Sequence, residues 1–323
     1  MTTSAEQLSA VLDAGGEELR ALIERTEARL GEVAASHGEV LGAFAGDTLA
    51  AGGKRLRPML VFICGAADSD ALVRAGAAVE LLHMATLVHD DVLDRATLRR
   101  GRPTVYARGG AAAATATGDL LFSRAFAELT LTGDAEAVRV LSSASSALAR
   151  GELMQREDAW SDAVTPERYL ERCELKTARL FEAACRLGAI LGDPGPDAAE
   201  ALGAFGTRIG VAFQIFDDVL DVSGPTERTG KPRGADLLDG TITLPLILAR
   251  RRDASLRELD VQNATAAEAA CDRIAATGAL EESRDHALKY VADAKSVLES
   301  VALQERQRTT LDLVADSVVE RYA

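Results

Sequence analysis

The pentapeptide Asp-Asp-Val-Leu-Asp occurs twice, at residues 90–94 and 217–221, and each copy ends an apolar stretch with helical spacing. On a helix, the first and fifth residues of the motif share one face, and the second lies beside them. Three carboxylates at the C-terminal end of a helix repel one another and meet the negative end of the helix dipole. Both clusters are therefore unfavourable unless cations compensate them.

Magnesium is the cation that we expect at these two clusters, although manganese accepts similar ligands. Magnesium prefers hard oxygen atoms, and substrate phosphates and water usually complete its shell beside one or two carboxylates. A solvated acidic helix end is the alternative for one cluster, and the identical second copy argues against it. The candidate metal ligands are Asp90, Asp91, Asp94, Asp217, Asp218 and Asp221.

The remainder of the sequence predicts an all-α fold. Aromatic residues make up only 4% of the chain, and runs of β-branched residues that would favour strands are scarce. No change of composition marks a boundary, so residues 1–323 are expected to form a single large helical bundle. Helices are predicted at 5–50, 72–94, 118–131, 134–158, 166–191 and 198–222, with an irregular segment at 223–240 and helical pairs after Pro245. Thr165 before Pro166 predicts an N-cap followed by a proline at the first helical position.

Charge and targeting signals exclude several classes of protein. The net charge of −14 argues against nucleic-acid binding, because phosphate backbones bind cationic surfaces. The four cysteines are widely spaced and predict reduced, buried thiols. The N-terminal residues lack the pattern of a secretory signal, and no run of about 18 uncharged apolar residues occurs. We therefore expect a cytoplasmic protein with no integral membrane segment.

Basic residues suited to diphosphate binding occur in short polar motifs. Only five lysines are present, and Lys54, Lys176 and Lys231 each belong to such a motif. Arg99 and Arg100 follow the first aspartate cluster, and paired guanidinium groups suit phosphate oxygens. Two facing aspartate clusters would hold one diphosphate, and they would bind it only through metal. An enzyme that handles a second diphosphate is expected to contact it directly through cationic side chains.

Two histidines precede the first cluster on the same predicted helix. His83 lies seven residues before Asp90, on nearly the same helical face, and is interpreted as a phosphate contact. His89 adjoins the carboxylates and is interpreted as a supporting residue. For a single histidine, a packed, hydrogen-bonded core position is the competing interpretation.

Taken in order, these motifs resemble those of the trans-isoprenyl diphosphate synthases, the polyprenyl synthetases. The resemblance runs from about Gly52 to Pro245. It includes Gly53-Lys54-Arg55-Leu56-Arg57-Pro58, the first aspartate motif followed by Arg99-Arg100-Gly101, Gly151-Glu152 with Gln155, Lys176-Thr177, Phe213-Gln214 before the second motif, and Gly230-Lys231-Pro232. It implies an all-α bundle of the isoprenoid synthase type, usually homodimeric, with both clusters flanking a deep central cavity.

The resemblance also implies a reaction and a set of site residues. The reaction is a magnesium-dependent head-to-tail condensation of isopentenyl diphosphate with an allylic diphosphate. Isopentenyl diphosphate would be held by Lys54, Arg57, His83 and Arg100, with Arg55 as a further substrate-binding candidate. The six aspartates would carry magnesium, three ions in all, around the allylic diphosphate, which Arg99, Lys176, Thr177, Gln214 and Lys231 would contact. The catalytic candidates are Asp90, Asp91, Asp94, Lys176, Asp217, Asp218 and Lys231.

One position departs from the family pattern. Many members have a lysine shortly before Thr-Leu-Pro, where this chain has Thr241. A threonine cannot supply a cation, so one allylic-diphosphate contact is absent at that position.

Product length is expected to depend on the helix face beneath the first cluster. Thr86, Ala85, Leu82 and Val79 form a stripe that descends about 16 Å from Asp90 at the rise of an α-helix. The upper two side chains are small, which predicts products longer than farnesyl diphosphate. Leu82, with Phe122 and Phe126, is expected to close the cavity at greater depth.

Three other functions compete with this interpretation. A short-chain synthase making farnesyl or geranylgeranyl diphosphate would share the same motifs. A class I terpene cyclase also ionises an allylic diphosphate, but it needs neither the basic motif at 53–58 nor a second identical aspartate motif. A non-catalytic subunit of a heteromeric synthase would be expected to have lost aspartates or lysines of the site.

Overall fold

A computed structural model describes residues 4–50, 52–99, 101–192, 198–224 and 233–320, and these residues are almost entirely helical. The all-α prediction is confirmed. The long helices are α1 (Ser4–Ala35), α2 (Glu39–Ala50), α3 (Leu56–Gly65), α4 (Asp70–Leu93), α5 (Val105–Thr130), α6 (Ala135–Asp158), α7 (Pro166–Cys173), α8 (Arg179–Leu191) and α9 (Ala198–Ser223). The C-terminal part contains α10 (Ala235–Leu238), α11 (Leu244–Arg252), α12 (Ala264–Ala276), α13 (Ala279–Glu299) and α14 (Glu305–Glu320).

Short irregular elements interrupt this order at three places. A π-helical turn, Glu174–Ala178, joins α7 to α8, and a 3₁₀ turn, Ala254–Glu258, follows α11. Two short strands, β1 (Leu98–Arg99) and β2 (Arg102–Pro103), pair antiparallel with Leu98 opposite Pro103. This hairpin follows the first aspartate cluster directly and turns the chain back toward it.

Several helix boundaries differ from the sequence prediction. The single helix expected at 5–50 ends at Ala35, and α2 begins at Glu39 after a break. Helix α5 begins at Val105 rather than at 118, because Thr104 accepts a capping hydrogen bond from the Ala107 N–H at 3.0 Å. The N-cap predicted at Thr165 is confirmed, since its hydroxyl accepts from the Arg168 N–H at 3.3 Å.

Helix α4 is the central element of the bundle. Its side chains Leu72, Val79, Leu81 and Leu82 are fully buried, and the helix packs against α1, α3, α5 and α8. By length and composition alone α4 is apolar enough to cross a membrane, but 72% of its most apolar window is buried within the bundle. Burial among other helices explains this hydrophobicity, as expected of a core helix.

Helix α8 contacts both of the helices that carry an aspartate cluster. It packs against α4 on one side and against α9 on the other. Helix α9 carries the second cluster near its C-terminal end and also packs against α13. The clusters, separated by more than 120 residues in sequence, therefore belong to helices with a common neighbour.

A buried carboxylate joins three helices away from the aspartate clusters. The Glu128 side chain on α5 is fully buried and accepts from Arg29 Nη2 of α1 at 2.8 Å and from Arg74 Nη1 of α4 at 3.1 Å. Arg124, one turn earlier on α5, lies at 3.6 Å. The hydrogen bond from Arg29 to Glu128 raises the pKa of that guanidinium further. Glu128 thus pairs with three arginines at the α1–α4–α5 contact.

Candidate active site

The first aspartate cluster lies at the C-terminal end of α4. Asp91 is 4% exposed, and its Oδ1 accepts from both Nε and Nη2 of Arg99 at 2.8 Å. Arg99 belongs to β1, so the hairpin after the helix returns a cation to the cluster. Asp94 is the C-cap of α4 and is exposed. The predicted proximity of Arg99 to these carboxylates is observed.

Burial perturbs the acidity of Asp90 in this cluster. Burial raises its pKa to about 6, while Lys176 and Arg99 act in the opposite direction, and Glu152 and Asp94 add to the rise. The charged form of Asp90 is therefore poorly stabilised by the protein alone. A cation placed between these carboxylates would relieve that repulsion.

The π-helical turn presents Lys176 and Thr177 to the two clusters. A π turn inserts an extra residue into a helix and is frequent at functional sites. The backbone of Lys176 packs so closely on α6 that a Cβ at Gly151 would lie 2.6 Å from the Lys176 nitrogen. Glycine at this position therefore permits the contact between α6 and the turn.

Helix α6 contributes a glutamate and an arginine beside the first cluster. Glu152 accepts from Lys176 Nζ through Oε2 and from Arg156 Nε through Oε1, the latter at 2.8 Å. Burial raises the pKa of Glu152, but Lys176 and Arg156 outweigh this effect and lower it below its ordinary value. Arg156 Nη2 also donates to Asp94 Oδ1 at 2.5 Å.

The second aspartate cluster is held by side chains of α7 and α9. Asp218 is 4% exposed and accepts from the Tyr169 hydroxyl at 2.7 Å and from Gln214 Nε2 at 2.8 Å. Burial raises the pKa of Asp218 to about 7; nearby Asp236 raises it too, whereas the bonds from Tyr169 and Gln214 lower it. Asp217 and Asp221 are half-buried on the same helix.

Hydrogen bonds lead from each cluster to the π turn. From the first cluster, Asp94 bonds to Arg156, Arg156 to Glu152, and Glu152 to Lys176. On the other side, the Thr177 hydroxyl donates to Gln214 Oε1 at 2.6 Å, and Gln214 bonds to Asp218. Lys176 and Thr177 are adjacent residues. The predicted site residues of α4, the π turn and α9 are thus assembled into one site.

Arg55 requires a correction. It was predicted to bind substrate, but its side chain is 8% exposed, and its guanidinium donates to Glu27 of α1 and to Glu80 of α4, the latter at 2.6 Å. These bonds hold the start of α3 against its neighbours. Its donors are committed to two carboxylates, so Arg55 is left out of the site.

The other basic candidates fall into two groups. Lys54 is exposed, and Arg57 and His83 are half-buried, so all three are accessible. Arg57 also stacks on the Phe181 ring, with 4.6 Å between its Cζ atom and the ring centroid. Arg100 and Lys231 lie outside the described residues.

The predicted chain-length stripe is only partly internal. Val79, Leu82 and Ala85 are fully buried, and Thr86 is half-buried. The prediction for Phe122 was wrong for a single chain, because 38% of this side chain is exposed and it cannot close an internal cavity. Phe126 is partly buried on α5 and lies 5.2 Å from Phe122 between ring centroids.

Three residues of the assembled site were not singled out as candidates. Glu152 occurred in the resemblance only as part of a motif, and Arg156 and Tyr169 carried no assignment. The spacing of Glu152 and Arg156 by four residues was a usable sequence signal, because such pairs share a helix face. No local pattern connects Tyr169 with Asp218, which lies 49 residues further on.

Comparison with known proteins settles the family. A sequence profile described as polyprenyl synthetase matches residues 39–277. The chain belongs to the polyprenyl synthetase family. It is 37% identical over 282 residues to a geranylgeranyl diphosphate synthase of Methanosarcina mazei, covering 84% of this chain and 86% of that protein. It is 38% identical over 283 residues to a heptaprenyl diphosphate synthase component 2 of Geobacillus stearothermophilus, covering 84% and 88%.

Solved structures of polyprenyl synthetases share the fold of this family member. A polyprenyl synthase of Caulobacter crescentus, determined with calcium and isoprenyl diphosphate, superposes with a TM-score of 0.89 at 34% identity. The match covers all of this chain and 99% of the other. The predicted helical bundle of the isoprenoid synthase type is confirmed by this similarity.

Proposed function

We propose that this chain condenses isopentenyl diphosphate with an allylic diphosphate and releases an all-trans polyprenyl diphosphate longer than farnesyl diphosphate. The observation that carries the proposal is the pair of aspartate clusters joined through Lys176 and Thr177. The relatives of this chain add support, since they include geranylgeranyl, heptaprenyl and octaprenyl diphosphate synthases. A chain with only one aspartate cluster would not be expected to need hydrogen bonds that connect two clusters through Lys176 and Thr177.

The donor set fits a divalent cation that is shared with a substrate. Among the residues the structure describes, no three His, Cys, Asp or Glu side chains converge to hold an ion by themselves. The candidate ligands are carboxylate oxygens, which suit magnesium completed by diphosphate oxygens. Burial raises the pKa of Asp90 and of Asp218, and a bound cation would favour their charged forms. When bound, magnesium would neutralise charge on the departing diphosphate. We propose the six aspartates as its ligands.

The side chains have distinct tasks in this proposal. Lys176 and Arg99, with Lys231, bind the diphosphate that leaves the allylic carbon and stabilise its negative charge. Thr177 and Gln214 position Asp218 through their hydrogen bonds. Lys54, Arg57, His83 and Arg100 orient isopentenyl diphosphate so that its double bond faces the allylic carbocation. Buried apolar side chains of α4 keep water from quenching that cation.

The departing diphosphate is the base in this proposal. Once the new carbon–carbon bond has formed, a proton must leave the carbon next to the new cationic centre. A diphosphate oxygen held beside Lys176 accepts it, so no side chain is needed as a dedicated base.

A homodimer is part of the proposal. Large apolar side chains are exposed on α5 and α6 and at the C-cap of α5, namely Phe122, Leu153 and Leu131. Exposed apolar side chains on neighbouring helices are typical of a surface that another chain covers. A second copy covering these side chains would bury Phe122, which is exposed in the single chain.

The direct test is incubation of purified protein with isopentenyl diphosphate, each allylic diphosphate in turn, and magnesium. The expected result is chain extension that stops when a chelator is added, with products sized by chromatography after dephosphorylation. A cyclic hydrocarbon from allylic diphosphate alone would instead identify a cyclase. No turnover with any starter would point to a missing second component, as the name of the Geobacillus relative suggests.

Substitution of Thr86 by phenylalanine is expected to shorten the products. Thr86 is half-buried one turn before Asp90, and its hydroxyl bonds to the His83 carbonyl at 2.7 Å. A phenyl ring there would block the path of the growing chain along α4. The chain-length distribution is the measurement, with Thr86→Ser as the control of similar size. An unchanged distribution in Thr86→Phe would show that another surface limits product length.

A further inference from the structure

Arg156 occupies the space between two carboxylates of the site. It lies on the last turn of α6, with Nε bonded to Glu152 at 2.8 Å and Nη2 bonded to Asp94 at 2.5 Å. The bond to Asp94 joins residues 62 positions apart, from two different helices. A proposed metal ligand is therefore engaged by an arginine.

The geometry leaves Arg156 able to donate to a further anion. A guanidinium has five N–H donors in a planar fork, and these two bonds use only one from Nε and one from Nη2. The side chain is 40% exposed, which makes it accessible from solvent. Planar, paired donors match the spacing of phosphate oxygens better than the single ammonium of a lysine does.

The residues that follow α6 also contact the segment in which Thr241 departs from the family pattern. Trp160, four residues after Arg156, donates its backbone N–H to the Gly240 carbonyl at 2.9 Å. The contacted segment is Asp239-Gly240-Thr241, which carries no positive charge. Arg156 is the basic residue in the last turn of α6 and precedes Trp160 by four positions. Arg172 Nη2 donates to the carbonyl of Ile242, next to this segment, at 2.5 Å.

Building on the proposed function, we propose that Arg156 is a binding residue for the allylic diphosphate. When the metal-bound diphosphate occupies the first cluster, Arg156 keeps its bond to Glu152 and exchanges its bond to Asp94 for diphosphate oxygens. The exchange conserves the charge balance, because the divalent ion then neutralises Asp94 and the diphosphate neutralises Arg156. No covalent bond changes in this step.

This exchange predicts opposite effects on two ligands when the guanidinium is removed. Magnesium alone must compete with Arg156 for Asp94, so Arg156→Gln is expected to tighten the binding of the ion. Magnesium diphosphate loses a charge-assisted contact in the same variant, so its binding is expected to weaken about 10-fold or more. A side chain that merely supports α6 would not move the two affinities in opposite directions.

The experiment is isothermal titration calorimetry of the 323-residue chain with magnesium alone and with inorganic diphosphate in saturating magnesium. The variants are Arg156→Gln, Arg156→Lys and the matched control Arg150→Gln, which removes the same charge from an exposed position of α6. Arg150→Gln is expected to match the wild type in both titrations. Arg156→Lys keeps the charge but loses the fork, and is expected to weaken diphosphate binding several-fold.

The outcomes separate the two proposals. If Arg156→Gln binds magnesium diphosphate as tightly as the wild type, the role of Arg156 is overturned and the proposed function stands. If the wild type binds no magnesium diphosphate, the proposed function fails, and the role of Arg156 fails with it. Should Arg156→Gln not fold, as judged by circular dichroism, wild-type affinity in Arg156→Lys would overturn the proposal.

Discussion

Asp90→Asn is expected to lower kcat for chain extension about 10²- to 10³-fold, the usual loss when one electrostatic contact to a developing charge is removed. Asp90 lies among Lys176, Glu152, Asp94 and Arg99, where a divalent cation would be shared with the diphosphate. An amide oxygen is a weaker ligand for magnesium and carries no charge. The measurement is kcat at saturating substrates over a series of magnesium concentrations.

The melting temperature of Asp90→Asn should not fall together with its kcat. Burial raises the pKa of Asp90 to about 6, so the folded chain binds its proton more tightly than the unfolded chain does. The stabilising contribution of that proton is lost as the pH rises through about 6, and the neutral asparagine avoids this loss. In chelator at pH 7, Asp90→Asn should melt at the same temperature as the wild type or above it.

The control is Asp70→Asn, at the opposite end of the same helix. Its side chain is 90% exposed and pairs with Arg25. This variant should retain wild-type kcat. Activity within threefold of the wild type in Asp90→Asn, at every magnesium concentration, would remove Asp90 from the metal site.

Glu128→Gln is expected to lower the free energy of unfolding by about 3 kcal/mol. Loss of one partner from a buried ion pair usually costs about 3–5 kcal/mol. The lower end of that range applies because Arg29, Arg74 and Arg124 keep 27–30% of their side-chain exposure and can be partly hydrated. Urea denaturation followed by circular dichroism measures the change, with the slope expected to stay constant.

Glu32→Gln is the matched control for this prediction. Glu32 pairs with the same Arg29 at 2.8 Å, but its side chain is 67% exposed. Removing an exposed ion pair should change the unfolding free energy by less than about 1 kcal/mol. Equal losses in the two variants would mean that burial of Glu128 contributes nothing to its effect.

The elements that sequence alone identified depend on local spacing. Apolar positions at helical spacing located α4, α6 and α9, and the cap at Thr165 followed from a threonine before proline. The repeated aspartate motif indicated both acidic clusters for the same reason, since carboxylates four residues apart share a face of any helix. Such features are set by neighbouring residues and need no knowledge of packing.

Helix boundaries predicted from apolar periodicity were wrong where the helix breaks but the apolar pattern continues. The break between α1 and α2 lies at 36–38, within a segment whose apolar positions continue on both sides. The π turn at 174–178 likewise interrupts a continuous helical pattern. At the π turn the path of the chain depends on packing, as shown by the close approach of Lys176 to Gly151. At the first break Gly38 has a φ of 80°, a left-handed conformation that favours glycine.

The sequence by itself determined the helical class, the order of the helices and the identity of both aspartate clusters. Only the tertiary structure decided that Arg156 reaches Asp94, that Tyr169 holds Asp218, and that Arg55 is committed to Glu27 and Glu80. The physical reason is distance along the chain. A helix face follows from residues three and four apart, whereas a partner tens of residues away is chosen by which faces meet when the bundle packs.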